Sequence, residues 1–241
     1  MENNISSEEN KQGKTNPYLI PFSIIVAGAI IAGAVMYGRT SGNPAQRDNT
    51  APQAQQTANI KNVKTAGAPY IGNATTPVTV AYWSDYQCPF CKQFETATMP
   101  KIIDNYVKTG KLKIVFKDFQ FLGPDSMTAA LTGRAIWELY PAHYLDWRIA
   151  MFKKQDGENG GFGDEASVTA LTKTISGIDA ATVTKLIAEK KDEYQKAIDA
   201  DKEEGATFGI QGTPGFVTGV QTISGAVPYE SFSKAIDAQL K

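Results

Sequence analysis

The chain has 241 residues, 42% of them hydrophobic and 20% charged, and its formal net charge is −1. This composition is typical of a globular protein and excludes a wholly disordered or collagenous chain. The 24 Lys and Arg are balanced by 25 Asp and Glu, so no basic field is available to bind nucleic acid through its phosphates. With two Cys and one His, a zinc site of Cys and His would need a ligand from another chain, and we expect no metal and no cofactor.

The first element in chain order is an uncharged apolar segment over residues 19–38, preceded by a short tail over residues 1–18. As a helix rising about 1.5 Å per residue it spans roughly 30 Å, the thickness of a bilayer's hydrocarbon core. A buried core helix would show a polar face, and this segment has none, so the sequence predicts a transmembrane anchor. A cleaved signal peptide is the alternative, because residues 32–34 are Ala-Gly-Ala, a small-residue pattern typical of a processing site.

Residues 39–68 are rich in Asn, Gln, Thr, Ala and Pro and have almost no large apolar side chains. Such a segment cannot bury enough surface to offset its ordering entropy, so a disordered linker is predicted. The remaining residues, 69–241, are numerous enough to form a single domain with its own core.

The start of this domain predicts a βαβ unit. Residues 78–83 form a β-branched and aromatic run typical of a buried strand, residues 92–109 carry apolar side chains at helical spacing, and residues 112–116 form a second strand. Pro100 is expected to kink or restart the helix, and Gly110 to end it. A strand, a helix and a strand in close succession imply parallel pairing with a right-handed crossover.

Residues from about 125 to about 210 are predicted to be mostly helical. The Gly-rich stretch over residues 158–163 lacks the spacing and the preceding strand of a nucleotide-binding turn, so it is interpreted as a loop between helices. Residues 216–224 predict a short hairpin, and Pro228 is expected at the first position of a terminal helix. Within the helical region, apolar side chains recur every three or four residues and are interpreted as core packing: Trp137, Tyr140, Tyr144, Trp147 and Met151.

The candidate chemistry lies in Cys88 and Cys91, which are separated by Pro89 and Phe90 where the strand meets the helix. As a structural staple, a ring of four residues would contribute only about 1.9 kcal/mol, and metal binding would need two further ligands. Cys88 is predicted at the helix N-cap with Pro89 at the first helical position, where free backbone N–H groups and the helix dipole lower a thiol pKa. Cys91, one turn further, is expected to be more buried. Thiol–disulfide exchange through a mixed disulfide on Cys88 is the predicted reaction.

Four segments in order, residues 83–91, 115–119, 209–219 and 224–229, resemble the DsbA-like thiol:disulfide oxidoreductases of the thioredoxin superfamily. The resemblance runs from about residue 71 to the C-terminus. It implies an α/β thioredoxin-like fold with a helical insertion over about 125–210. It also implies a cis bond between Thr213 and Pro214 that faces the cysteines and lets these two residues bind an extended substrate peptide by strand addition. An ordinary trans proline at a strand entry is the alternative.

The sequence departs from the family at two positions. Tyr82 stands where members often have an acidic residue, and a phenol with a pKa of about 10 is a poor base. Proton transfer at Cys91 would then use water, Asp85 or Lys117, among which the sequence does not decide. Phe90 stands where the best-known oxidases have His and adds no hydrogen bond to the Cys88 thiolate, which predicts a weaker oxidant than those members. The absence of an acidic residue at position 82 acts in the opposite direction.

His143, the one imidazole, is expected to be a partly exposed residue of the helical insertion with no catalytic role.

Together these features predict a membrane-anchored enzyme that forms disulfides in cysteine-containing exported proteins of a prokaryotic cell envelope. A membrane redox partner is expected to reoxidise it. Basic residues flank the apolar segment equally, but disulfides persist outside the reducing cytoplasm, so the soluble domain is expected on the periplasmic or extracellular face. The alternatives are a reductase or isomerase, a non-catalytic binding or holdase module of the same fold, and a thiol carrier for Cu(I).

Overall fold

The computed structural model describes residues 58–241, which contain one five-stranded sheet in the order β1-β3-β2-β4-β5. β2 and β3 pair in parallel in the middle of the sheet, as the βαβ pattern predicts, and the other three pairs are antiparallel. The strands are Tyr70–Ile71 (β1), Val78–Ser84 (β2), Leu112–Asp118 (β3), Gly215–Thr218 (β4) and Gln221–Ser224 (β5).

A continuous helical segment, α1, covers residues 89–107 and connects β2 to β3. Within it, the α-helical stretches Pro89–Gln93 and Met99–Ile102 alternate with the π-helical turns Phe94–Thr98 and Ile103–Val107. The first π-helical turn directly precedes the stretch that contains Pro100, because a proline has no N–H to continue the α-helical pattern. Gly110 adopts a φ of 71° just past the end of the segment, as expected of the glycine that ends a helix.

The predicted helical insertion is confirmed between β3 and β4. Its loop over residues 158–163 contains no helix. The predicted packing stripe lies inward, with Tyr144, Trp147 and Met151 buried and Trp137 and Tyr140 half-buried. The helices are Pro124–Leu139 (α2), Tyr144–Lys154 (α3), Glu165–Thr172 (α4) and Ala180–Thr207 (α5), with a short 3-10 helix at Pro141–His143.

The C-terminal hairpin of β4 and β5 is confirmed, and the last helix is Tyr229–Asp237 (α6). Pro228 precedes this helix as its N-cap and is not the predicted first helical residue, because its ψ of 155° is extended. Phe232 and Ile236 of α6 are buried in the core, as their spacing predicts.

Side chains of the strands alternate between two hydrophobic clusters, one on each face of the sheet. The main cluster contains Tyr82 and Phe116 together with both cysteines and residues of α1, α2, α3, α5 and α6. A smaller cluster on the other face contains Ala81, Trp83 and Phe208. Trp83 also donates a hydrogen bond of 2.8 Å from Nε1 to the Asp201 carbonyl of α5.

Residues 58–68 differ from the predicted linker because they pack against the domain. The Ile60 N–H donates to the Gly219 carbonyl at 2.8 Å, and Val63 is buried in the smaller cluster. These isolated apolar residues fill space beside the sheet without forming a periodic pattern. The domain therefore begins earlier than the predicted boundary at residue 69.

The predicted N-terminal tail, the predicted anchor and the rest of the predicted linker fall within residues 1–57, outside the described residues. Among residues 58–241, no helix combines the length and the apolar character needed to cross a bilayer.

Candidate active site

Cys88 lies at the N-cap of α1, four residues after the end of β2. Its φ of −74° and ψ of 121° are extended, and Pro89 occupies the first helical position, as predicted. The Cys88 N–H donates to the Asp85 carbonyl at 3.1 Å, which closes the turn between strand and helix. The sulfur is thereby held where backbone N–H groups of the first helical turn are free to donate to it.

The carboxylate of Asp85 organises this turn. Although fully buried, it accepts hydrogen bonds from the N–H groups of Gln87, Phe121 and Leu122 and from the Ser126 hydroxyl at 2.5–3.2 Å. Burial raises the pKa of this carboxyl above its ordinary value in spite of these donors. Asp85 therefore ties the loop after β3 to the loop after β2.

The peptide bond between Thr213 and Pro214 is cis, as the resemblance implies, and it faces Cys88. The Cys88 thiol donates to the Thr213 carbonyl at 3.3 Å. Gly215, the next residue but one, pairs with Trp83 at the end of β2, which fixes this loop beside the cysteines. A Cβ at Gly215 would come within 2.7 Å of the Ile210 side chain, so the close approach of the loop requires glycine there.

The surroundings of Cys88 favour its thiolate. The pKa of Cys88 is lowered to about 6, and the largest cause is a hydrogen bond from the Cys91 thiol. The Thr213 side chain and the backbone N–H groups of Cys91 and Phe90 lower it further, whereas burial acts to raise it. An ionised sulfur can no longer donate to the Thr213 carbonyl, so the Thr213 hydroxyl becomes the neighbouring side-chain donor from that loop. Cys88 is thus mostly ionised at neutral pH.

Cys91 has the opposite character. It is fully buried, and burial, followed by its hydrogen bond to Cys88, raises the pKa of its thiol well above the ordinary value. The nearby backbone of Asp85 acts in the opposite direction and lowers the pKa of Cys91, by less than burial raises it. Cys88 and Cys91 are both free in the structure, so the pair is in its reduced form. Cys88 is 4% exposed and Cys91 is 0% exposed, so a thiolate just below the surface lies beside a fully enclosed thiol, an arrangement that suits stepwise disulfide exchange.

Two large aromatic side chains are exposed, one in the first turn of α1 and one in the loop after β3. Phe90, between the cysteines, is 61% exposed, and Phe121, in the loop that Asp85 holds, is 49% exposed. Phe121 was not identified from the sequence, where a single aromatic residue in a loop carries no signal. The Phe90 ring provides exposed apolar surface within two residues of Cys88 in the chain.

The structure separates Lys117 from the cysteines. Its ammonium group forms ion pairs with Asp201 and with Glu204 and donates to the Lys64 carbonyl at 3.0 Å. Lys117 pairs with Trp83 in the sheet and follows the strand alternation onto the face of the smaller cluster. The two cysteines belong to the main cluster on the other face.

Tyr82, in contrast, lies beside the Cys91 sulfur, and burial together with that neighbour raises the pKa of its phenol well above 10.0. Glu95 and Arg148 form a buried ion pair of 2.7 Å next to it. Neither was identified from the sequence, because a charged residue in a helix is ordinarily expected to face solvent. His143 is half-buried in the short 3-10 helix, and its ring packs against Gly177.

A profile of the family described as Thioredoxin matches residues 64–238. The chain belongs to the thioredoxin family. It is 27% identical over 175 residues to the protein named disulfide bond formation protein D of Bacillus subtilis, an alignment that covers 73% of this chain and 78% of that one.

Solved structures of thioredoxin-family proteins agree with this assignment. The oxidised BdbD of Bacillus subtilis superposes with a TM-score of 0.67 at 26% identity, covering 78% of this chain and 97% of that chain. The thiol-disulfide exchange protein alpha-DsbA2 of Wolbachia pipientis superposes with a TM-score of 0.62 at 27% identity, covering 72% of this chain and 87% of that chain. This thioredoxin-family chain is a DsbA-like thiol:disulfide oxidoreductase.

Proposed function

We propose that Cys88 is the nucleophile and Cys91 the resolving thiol of an enzyme that forms disulfides in exported proteins. The observation that carries this proposal is the position of Cys88 at the start of α1, with a pKa of about 6 and a hydrogen bond from the enclosed Cys91. The relative from Bacillus subtilis named disulfide bond formation protein D supports the direction of the reaction.

In the proposed cycle, the oxidised enzyme carries a disulfide between Cys88 and Cys91. A substrate thiolate attacks the Cys88 sulfur, the bond between the cysteines breaks, and Cys91 leaves as a thiolate that takes up a proton. A second substrate thiolate then attacks the substrate sulfur of the mixed disulfide and releases the Cys88 thiolate. Two electrons pass from substrate to enzyme, and the low pKa of Cys88 makes it a good leaving group.

Thr213 and Pro214 are proposed to bind the substrate. The Thr213 carbonyl lies 3.3 Å from the Cys88 sulfur, so a peptide extended along this loop would bring its own sulfur to Cys88. The Pro214 carbonyl accepts from the Gly225 N–H at 2.8 Å, which leaves the main chain of Thr213 as the available pairing group. Phe90 and Phe121 offer apolar contacts to side chains that flank the substrate cysteine.

We further propose that residues 19–38 anchor the enzyme in the membrane, with the thioredoxin-like domain on the extracytoplasmic face. An uncharged apolar segment long enough to span the bilayer supports the anchor, and the persistence of disulfides outside the reducing cytoplasm supports the orientation. A membrane redox partner with a disulfide would reoxidise the enzyme. Cys88 would attack that disulfide, Cys91 would attack Cys88, and the partner would leave with both electrons.

Trapping with the full-length Cys91→Ala variant tests this proposal. Without Cys91, the Cys88 thiolate of the variant attacks disulfides and cannot be released, so mixed disulfides that reductant dissolves are expected on Cys88. The expected trapped proteins are the membrane redox partner and exported proteins with cysteines. The matched control is the Cys88→Ala, Cys91→Ala double variant, which should form no such adducts.

Three outcomes would contradict the proposal. Partner capture that survives in the double variant would indicate a holdase. A reduction potential of the wild-type pair near that of the cytosol would indicate a reductase or isomerase. Tight Cu(I) binding by the cysteine pair, in competition with its oxidation, would indicate a metal carrier.

A further inference from the structure

Cys91 can attack Cys88 only after losing its proton, yet it is enclosed and its ionisation is disfavoured by burial. The same proton must return when Cys91 leaves as a thiolate. Asp85 is poorly placed to take it, because its carboxylate already accepts four hydrogen bonds. Lys117 lies on the other face of the sheet.

Tyr82 connects the Cys91 sulfur to a second acid. Cys91 and Glu95 are four residues apart on α1 and lie on one side of it, while Phe94 packs its ring against that of Tyr82 with centroids 5.4 Å apart. The Tyr82 hydroxyl is buried and, within residues 58–241, forms no hydrogen bond of good geometry. It lies beside both the Cys91 sulfur and the Glu95 carboxylate.

Arg148 holds Glu95 in this position through one oxygen only. The Arg148 guanidinium donates to Glu95 Oε1 at 2.7 Å and 2.9 Å, and its central carbon lies 5.2 Å from the centroid of the Tyr82 ring. The second oxygen, Oε2, is buried and is not used by any well-formed hydrogen bond in the described part of the chain. One carboxylate oxygen is therefore fixed by charge, and the other is available to the phenol.

The far side of Glu95 gives access to solvent. Glu95 lines a cleft of about 370 Å³ between α1 and α3, whose walls include Ile103, Ile149 and Phe152. The exposed Asp104, Lys108 and Lys153 line the same cleft. The buried carboxyl thus lies between the interior, where Tyr82 and Cys91 meet, and a cavity large enough for water.

We propose that Tyr82 and Glu95 form the proton route of Cys91. As Cys91 attacks the Cys88 sulfur of a mixed disulfide, its proton moves to the Tyr82 oxygen while the Tyr82 proton moves to Glu95 Oε2. The bond between the cysteines forms, the bond from Cys88 to the substrate sulfur breaks, and the substrate leaves as a thiolate. Tyr82 is neutral before and after, and Glu95 then passes the proton to water in the cleft.

This route rests on the proposed exchange reaction at Cys88. Tyr82 exchanges a proton with the reacting sulfur and is a catalytic residue in this scheme, whereas Glu95 acts through Tyr82 and is a positioning residue. The titratable and charged groups that face Glu95 are Tyr82 from β2 and Arg148 from α3, with Asp104, Lys108 and Lys153 along the cleft, while Cys91 of α1 lies on the side of Tyr82. Burial raises the pKa of Glu95 above its ordinary value, which suits a group that must hold a proton for part of the cycle.

The test mixes the reduced full-length protein with excess glutathione disulfide, stops the reaction with acid, and follows glutathionylated Cys88 by mass spectrometry. Its formation reports the attack by Cys88, and its decay reports the attack by Cys91. Tyr82→Phe and Glu95→Gln are each expected to slow the decay at least about tenfold at neutral pH and to leave the formation unchanged.

The pH profile distinguishes proton transfer from a structural role. In the wild type, the decay rate should rise as Glu95 ionises and then level off. In Glu95→Gln the decay rate should instead follow the ionisation of Cys91 itself. Because the pKa of Cys91 is raised, this rate should keep rising beyond pH 9.0 until it equals the wild-type decay rate. The matched control is Glu138→Gln, which removes another carboxylate that accepts from a tyrosine and a lysine, and which should keep both rates.

If Glu95→Gln does not fold, Tyr82→Phe alone tests the proposal, because this substitution removes only a hydroxyl and keeps the ring packing. A wild-type decay rate and pH profile in Tyr82→Phe would overturn the proton route while exchange itself remained intact. If the wild-type protein formed no glutathionylated Cys88 at all, the proposed function would be overturned, and the proton route with it.

Discussion

Thr213 offers two groups to the Cys88 sulfur, and each suits a different ionisation state of that sulfur. The carbonyl accepts from the thiol, and the hydroxyl is the donor available to the thiolate. Thr213→Val removes the hydroxyl at nearly constant volume, so we expect the pKa of Cys88 to rise from about 6 by about one to two units, since a hydrogen bond to a charged group contributes about 1.5–3 kcal/mol. Titration of the thiolate ultraviolet absorbance measures this change.

Thr213→Ser is the matched control, because it keeps the hydroxyl and should leave the pKa of Cys88 near that of the wild type. An unchanged pKa in Thr213→Val would show that the backbone N–H groups of the helix start and the Cys91 thiol suffice to stabilise the thiolate.

The ionisation of Cys88 also makes the stability of the reduced protein depend on pH. The folded pKa of about 6 lies below the ordinary value of 9.0, so between these pH values the unfolded chain binds a proton that the folded protein does not. Stability from the thiolate is then fully present above pH 9.0 and is lost as pH falls through about 6. We expect the stability difference between the wild type and Cys88→Ala to grow with pH across this window.

Urea unfolding under reducing conditions at a series of pH values measures this difference. Above pH 9.0, the raised pKa of Cys91 acts in the opposite direction, because the folded protein then holds a proton that the unfolded chain releases. A stability difference that is constant from pH 6 to 9 would mean that Cys88 has the same pKa in the folded and unfolded chains.

At the scale of elements, the buried pair of Glu95 and Arg148 joins the helical insertion to the thioredoxin-like core. Arg148, on α3, also donates to the Ser84 hydroxyl of β2 at 2.9 Å and to the Tyr86 hydroxyl at 3.2 Å. Arg148→Met leaves the Glu95 carboxylate buried without its cation, so we expect the free energy of unfolding to fall by about 3–5 kcal/mol. Urea or thermal unfolding measures the loss.

A double variant separates charge from packing in this pair. Adding Glu95→Gln to Arg148→Met removes the unpaired charge and should recover part of the lost stability. Lys190→Met is the matched control, because its partner Glu138 is largely exposed, and it should cost at most about 1 kcal/mol. If Lys190→Met and Arg148→Met lowered the free energy of unfolding by the same small amount, the pair of Glu95 and Arg148 would not hold α3 to the core.

Local signals explain which elements could be predicted from the sequence. β2, β3, the helix start at Cys88 and the hairpin all follow from residues close together in the chain, because strand composition, a proline at the first helical position and turn glycines act over short range. The meeting of Glu95 with Tyr82 and Arg148 depends on how α1 and α3 pack, and no spacing in the sequence shows it. Of the two π-helical turns of α1, only the first, which precedes Pro100, has a local signal in the sequence.

At the scale of the whole molecule, the chain enters the described domain away from the cysteines. Ile60 is bound at Gly219, in the turn between β4 and β5. Because β4 runs antiparallel to β2, this turn lies near the start of β2, whereas Cys88 follows its end. Residues 58–68 therefore do not cover the surface around Phe90 and Cys88, as an enzyme acting on other proteins requires.

The contacts of residues 58–68 predict that the folding unit begins before residue 69. Val63 is buried in the smaller cluster, the Lys64 N–H donates to Glu204 at 2.8 Å, and the Lys64 carbonyl accepts from Lys117 at 3.0 Å. A chain that begins at residue 69 loses these contacts and leaves part of a buried ion-pair network open. Compared with a chain that begins at residue 58, we expect it to lose at least about 2 kcal/mol of unfolding free energy, the contribution of one buried valine side chain.

Urea unfolding of the two chains measures the difference, with Val63→Ala in the longer chain expected to fall between them. Equal stability of both chains would mean that residues 58–68 act only as the linker that their composition predicts.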